Sequence, residues 1–266
     1  MNRIDRRFQE LGAKNQKAFI PYITAGDPTL DATEKVVIAL EQAGADIIEF
    51  GVPFSDPVAD GTVNQEAAQR ALLNNVSLRD IIARVKQLRA RTQIPIVLFT
   101  YFNPVLAYGL EAFAQEAGDA GVDGVLCVDL PPEEATEYKR LLDAQNVATI
   151  FLVAPTSSPE RVAMIAEHST GFIYYVSRTG VTGERAAIES DVNAAVKAIR
   201  QHTSKPIAVG FGISTPAQAA EVAGFADGVI VGSAIVRMIG TMGDSQDMPS
   251  TVAAFAKSLA DAIKGA

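Results

Sequence analysis

Short apolar runs rich in β-branched residues recur along the chain. Each is followed by a turn and then by a stretch in which apolar residues return every three or four positions. The runs predict strands at 18–24 (AFIPYIT), 45–51 (ADIIEFG), 95–101 (PIVLFTY), 124–128 (GVLCV), 147–153 (VATIFLV), 171–177 (GFIYYVS), 205–210 (KPIAVG) and 227–231 (DGVIV). They are apolar almost without interruption, as in parallel strands covered on both faces, rather than alternating as in a half-exposed sheet. The intervening stretches predict amphipathic helices. Their start signals include Ser77 with Asp80, Ser158-Pro159-Glu160 and Thr215-Pro216. Residues 2–13 predict an additional N-terminal helix, with Ile4, Phe8 and Leu11 on one face to cover the bottom of the fold.

Eight strand–helix units in 266 residues predict a single closed (β/α)₈ TIM barrel over residues 1–266. An open doubly wound sheet is the alternative. No G-x-G-x-x-G follows the first strand, which counts against it. The entries to three strands rhyme: EQAGAD (41–46), GDAGVD (118–123) and EVAGFAD (221–227). In each, Gly44, Gly121 or Gly224 is expected to end a helix in the left-handed conformation before an Asp leads into the strand.

Composition narrows the partners. Apolar residues make up 48% of the chain and charged residues 20%, enough to bury a large core. Lys plus Arg is 23 and Asp plus Glu 31, so the net charge is −8, which disfavours nucleic acid or an anionic membrane surface. One cysteine, Cys127, permits no intrachain disulfide and no thiolate-rich metal site. MNRIDRRFQELGAK lacks the apolar centre of a signal peptide, and no apolar run reaches the ~18–20 residues of a membrane span. A soluble, cytoplasmic protein is expected.

In such a barrel the chemistry lies at the carboxyl ends of the strands. Glu49 stands there in ADIIEFG, among apolar residues. Desolvation would raise its pKa and suit it to proton transfer; a structural ion pair with Lys or Arg is the other reading. Asp60, in GVPFSDPVADG, supplies a second carboxylate, or simply an Asp-Gly turn. Of the neighbours Tyr174 and Tyr175, at most one points into the barrel. Glycine-bearing segments at 180–183, 210–212 and 232–233 suggest a phosphate cradle of backbone amides, with Ser233 starting a short helix. Lys205 enters a strand at the wrong end for a Schiff base. His168 and His202 fall at helix ends, away from any metal-ligand cluster. Cys127 reads as a small buried apolar residue, and Asp129 either lines the site or caps Pro131-Pro132. The pattern points to acid–base chemistry on a phosphorylated substrate, with no metal and no cofactor in this chain.

FIPYITAGDP (19–28), AGADIIEFGVPFSDPVADG (43–61), TYFNPV (100–105), GVDGVLCVDLPPEE (121–134), SRTGVTGE (177–184), VGFGIS (209–214) and VGSAIV (231–236) carry a likeness along essentially the whole chain. The chain resembles the α subunits of tryptophan synthase. The resemblance implies cleavage of indole-3-glycerol phosphate into indole and glyceraldehyde 3-phosphate. It implies Glu49 as general acid/base, Asp60 at the indole N–H, and Tyr174 lining the site. Gly183, Gly212, Gly232 and Ser233 fall on phosphate-binding positions, with Phe211 beside them. Tyr22, Phe99 and Leu126 fall on the wall around indole. Loops 53–60 and 178–189, the latter with Thr182 as a lid residue, would face a partner. That partner is a pyridoxal-phosphate β subunit in an α2β2 heterotetramer. Two positions depart from the family pattern: Asn64 stands where an apolar residue is common, and Tyr22 where Phe is common. Two other readings compete: a different phosphate-binding barrel, such as a phosphoribosyl isomerase, and a non-catalytic subunit that binds phosphate ligands.

Overall fold

A computed structural model describes residues 1–176, 185–210 and 212–266, with backbone alone for 185–190. The strands are β1 (Ala18–Thr24), β2 (Ile48–Gly51), β3 (Ile96–Thr100), β4 (Gly124–Cys127), β5 (Ala148–Ile150), β6 (Leu152–Val153), β7 (Ile173–Val176), β8 (Ile207–Gly210) and β9 (Gly228–Val231). The helices are α1 (Arg3–Ala13), α2 (Leu30–Gln42), α3 (Thr62–Leu73), α4 (Leu78–Leu88), α5 (Phe102–Tyr108), α6 (Leu110–Ala120), α7 (Thr136–Ala144), α8 (Pro159–His168), α9 (Arg185–Arg200), α10 (Pro216–Ala223), α11 (Ser233–Met242) and α12 (Met248–Lys264).

All pairings are parallel, in the order β5-β4-β3-β2-β1-β9-β8-β7-β6. β5 and β6 are two halves of one strand, interrupted only at Phe151. The first half pairs with β4 and the second with β7, so the sheet closes as an eight-stranded barrel. Side chains alternate as strand geometry demands. Ile20, Ile47, Val97, Leu126, Ile150, Tyr174 and Ala208 fill the interior. Phe19, Ile48, Phe50, Leu98 and Tyr175 face the surrounding helices. Tyr174 therefore points in and Tyr175 out.

The expected helix starts are present. Ser77 and Asp80 form a reciprocal capping box, as do Thr215 and Gln218, and Ser158 caps α8 with Pro159 at its first position. Helix α1 is capped by Asn2 with Asp5, and it buries Ile4 and Leu11 in the barrel bottom. Gly44 and Gly121 are left-handed, with φ of +104° and +84°. Gly224 is not: its φ is −63°, in the right-handed region. EVAGFAD has one more residue between Gly and Asp than its two counterparts, and that residue lets the chain run on through a right-handed turn.

Candidate active site

The ends of β1, β3, β7, β8 and β9 and the first turns of α3 and α11 surround a cavity of about 440 Å³. Tyr22, Phe99 and Tyr174 form its aromatic side. Tyr22 and Phe99 meet edge to face, 5.4 Å between centroids. The Tyr22 ring runs over Gly51, where any Cβ would lie 2.0 Å from the Tyr22 hydroxyl. Gly212, Gly232, Ser233 and Arg237 line another side. Ser233 is the first residue of α11, so the N-terminus of that helix borders the cavity. Gly183, Thr182 and Phe211, with the loop segment 177–184, lie outside the described residues.

Glu49 does not line this cavity; it lies fully buried in the barrel, opposite Tyr22 in the β1–β2 ladder. Neither carboxyl oxygen has a hydrogen-bond partner among the described residues. The ion pair that a structural role would need is thus missing among them. Burial alone pushes its pKa up to about 8. Leu126 is likewise fully buried, packed in the same interior cluster.

Asp60 sits at the end of the loop after β2, half-buried. Tyr101 donates its hydroxyl proton to Asp60 Oδ2 at 3.0 Å, while the Tyr101 hydroxyl oxygen accepts the Ala59 N–H at 3.0 Å. Phe54 stacks on Tyr101 at 5.1 Å. Gln65 donates to the backbone oxygens of Asp60 and Pro57 and ties the loop to α3. Arg70 binds α3 in turn to the loop after β1, through two 2.8 Å bonds to Asp27. Burial raises the Asp60 pKa, and hydrogen bonds from the Tyr101 and Asn64 side chains hold the rise back. Burial also raises the phenols of Tyr22 and Tyr174, and both feel the charges of Asp60 and Glu49. Both carboxylates thus act on the same two phenols, although neither is among the residues lining the cavity.

Other sequence candidates lie elsewhere. Asp129 caps α5 by accepting the Phe102 N–H at 2.7 Å, and it accepts from the Cys127 thiol. Burial raises the pKa of Cys127. His168 ends α8, with Nδ1 2.9 Å from the Met164 carbonyl. Lys205 donates to the Ala166 carbonyl near the barrel bottom. Sequence reasoning assigned no role to Tyr101 or Arg237. Tyr101 follows a strand and reads as one more core aromatic. Arg237 had a usable signal, since it lies four residues after Ser233 and so shares its helix face.

Fold and cavity define a class: an α/β barrel whose chemistry-bearing side chains gather at the carboxyl ends of its strands. The family model described as tryptophan synthase alpha chain matches residues 8–264. A tryptophan synthase alpha chain of Geobacter sulfurreducens is 50% identical over 263 residues, 99% of each protein. One from Geotalea daltonii is 53% identical over 237 residues, covering 89% of this chain and 90% of that protein. The crystal structure of tryptophan synthase subunit alpha from Legionella pneumophila superposes with a TM-score of 0.93 at 40% identity, covering all of both chains. The chain belongs to the tryptophan synthase alpha chain family. It is a carbon–carbon lyase that cleaves indole-3-glycerol phosphate in tryptophan biosynthesis.

Proposed function

We propose that the cleavage is a retro-aldol reaction in which Glu49 carries the proton. One observation supports this most: Glu49 is a wholly buried carboxyl group on a barrel strand, without a partner among the described residues and with a pKa near 8. It is protonated at neutral pH. Indole is a poor leaving group as a carbanion. Glu49 gives its proton to C3 of the ring, forming an indoleninium ion that can accept the electrons of the breaking bond. The Glu49 carboxylate then takes the proton of the adjacent side-chain hydroxyl. The carbon–carbon bond breaks, the aldehyde forms and indole leaves, with Glu49 protonated again. Asp60, ionised, balances the positive ring nitrogen. Opposite charges ~3–4 Å apart in a water-poor pocket interact by several kcal/mol, enough for several decades of rate.

Tyr22, Phe99, Tyr174 and Leu126 are proposed around the ring. The substrate phosphate is proposed on the backbone amides of Gly212, Gly232 and Ser233 at the α11 terminus. Gly183, Phe211 and the lid residue Thr182, outside the described residues, complete the proposal. No metal and no cofactor are proposed in this chain. Free indole is small and apolar and would escape, so a partner that consumes it is proposed: a pyridoxal-phosphate β subunit in an α2β2 heterotetramer in the cytoplasm. Val58, on the loop after β2, and Leu106, on α5, support a protein partner at this end, since they expose 87% and 55% of their surface. No helix among the described residues is long and apolar enough to cross a membrane.

Glu49→Gln keeps the shape and removes the titration. Turnover of indole-3-glycerol phosphate is expected to fall by at least ~10²-fold, with substrate binding largely kept. Retention of a tenth of normal turnover overturns the assignment.

A further inference from the structure

Arg237 stands one turn after Ser233 on α11 and lines the cavity beside Gly212, Gly232 and Ser233. It is the only Lys or Arg among the described lining residues. Its guanidinium has no hydrogen-bond or ion-pair partner among the described residues, and the residue is exposed, so it stands at the solvent side of the cavity. Arg70 also reaches α11, where a Cβ at Gly240 would lie 2.5 Å from its Nη2. That cation is committed to Asp27, through two 2.8 Å bonds. Helix α11 gains nothing from Arg237. Its first turn holds no acidic residue, and Gly232 gives it no side-chain cap. A cation near that end adds positive charge where the helix dipole is already positive. Arg237 therefore marks an electropositive corner without a counterion among the described residues, in a chain whose net charge is −8.

We propose that Arg237 captures the substrate by the charge of its phosphate dianion, drawing it to the cavity while the backbone amides of the α11 terminus fix its position. The inference rests on the reading that places the phosphate at that terminus. A dianion approaching an acidic protein meets a repelling field, and a cation at the cavity's solvent side offsets it where it matters. No neighbour among the described residues fixes the guanidinium plane. Arg237 thus acts through its charge rather than through a set bidentate geometry, and Lys can replace it. Its contribution falls on substrate capture, since the carbon–carbon bond breaks at the other end of the substrate. It is also a determinant of specificity, because it favours the phosphorylated ligand and does nothing for the uncharged alcohol of the same shape.

The test compares wild type with Arg237→Lys, Arg237→Gln and Arg237→Glu, each checked for folding by thermal melting. The first readout is kcat/KM for indole-3-glycerol phosphate at two salt concentrations. Arg237→Gln is expected to lower it roughly fivefold at about 20 mM salt and less than about twofold at about 500 mM, where screening has removed most of the attraction. The loss should appear in KM. Arg237→Lys should restore most of it, and Arg237→Glu should lose more than Arg237→Gln. The second readout is binding of a non-cleavable indole-3-alkyl phosphate and of the corresponding alcohol, measured by calorimetry at the lower salt. Arg237→Gln should weaken the phosphate by at least about threefold and leave the alcohol within about twofold. No loss at the lower salt, the same loss at both salts, or equal weakening of both ligands overturns the proposal. Gly232→Val tests the reading beneath it. A Cβ at Gly232 meets nothing nearer than Tyr22 Cβ at 3.4 Å, an ordinary contact, so the substitution crowds the phosphate position without forcing the fold. If Gly232→Val binds the phosphate no worse relative to the alcohol than wild type does, that reading is overturned instead.

Discussion

Glu49 is an acid that folding forces toward its neutral form. Its pKa is about 8 in the folded protein against an ordinary 4.5. The sign follows from proton linkage. Below pH 4.5 the carboxyl is protonated in both states and contributes no difference. As pH rises the unfolded chain ionises while the folded one cannot, so the folded state loses stability up to about pH 8. Glu49→Gln removes that loss. The variant should match wild type near pH 4 and exceed it by roughly 3 kcal/mol at pH 7, the linkage value for such a shift. Urea unfolding at pH 4, 5.5 and 7 measures it; a gain independent of pH means that Glu49 does not titrate as described. A substitution that stabilises the fold and abolishes turnover is the expected mark of a strained functional group. At this scale the sequence was legible where a charge interrupts an apolar strand, as at Glu49. Tyr101 was not legible as a site residue, because it acquires its role from Asp60, 41 residues away and brought near it only by folding.

The three rhyming strand entries have a common purpose that the sequence alone does not display. Asp46, Asp123 and Asp227 each accept the backbone N–H of the neighbouring strand, at Phe19, Ile96 and Ile207, all at 2.9 Å. The N–H of each Asp donates back to the carbonyl of the same residue. This reciprocal pair pins the register at the bottom of β1, β3 and β8, where a one-residue slip would turn every inward side chain outward. Each carboxylate is also paired with cations: Asp46 with Lys264 and Arg7, Asp123 with Arg3 and Arg89, Asp227 with Arg200 and Lys17. The pairs differ in burial. Asp123 and Arg89 expose 3% and 11% of their side chains, whereas Asp227 exposes 29%. Burial raises the Asp123 pKa and lowers that of Arg89, so both ions are substantially desolvated. Removing either Asp leaves a strand N–H without its acceptor, but only Asp123→Ala also strands a buried guanidinium. It should therefore cost about 2 kcal/mol more than Asp227→Ala in urea unfolding. Equal costs would mean that Arg89 finds full compensation in the carbonyls of Gly121 and Ile94, which it also reaches.

Across the whole molecule the barrel divides its duties between its ends. The strands and their order were legible because eight apolar runs of similar length recur with helices between them. Closure was legible as well; the break of the fifth run into β5 and β6, which lets it serve two neighbours, was not. The carboxyl ends carry the cavity; the other end is plugged by α1. Ile4 is the plug's tip, fully buried with Ile20, Ile47, Val97 and Phe172 in the interior cluster. It fits there because Gly124 at the start of β4 has no side chain: a Cβ at that position would lie 3.0 Å from Ile4 Cδ1. Arg3 and Arg7 fasten the same helix to Asp123 and Asp46. Ile4→Ala removes the tip and leaves a cavity in a close-packed layer, at an expected cost of roughly 2–5 kcal/mol. Tyr22, Glu49 and Tyr174 stand in layers nearer the other end, and no catalytic candidate touches α1 among the contacts described. The folded fraction of Ile4→Ala should thus keep kcat/KM within about twofold of wild type while its melting temperature falls by several degrees. A large fall in kcat/KM, measured well below the melting temperature, would show instead that the bottom layer of the barrel sets the position of Glu49.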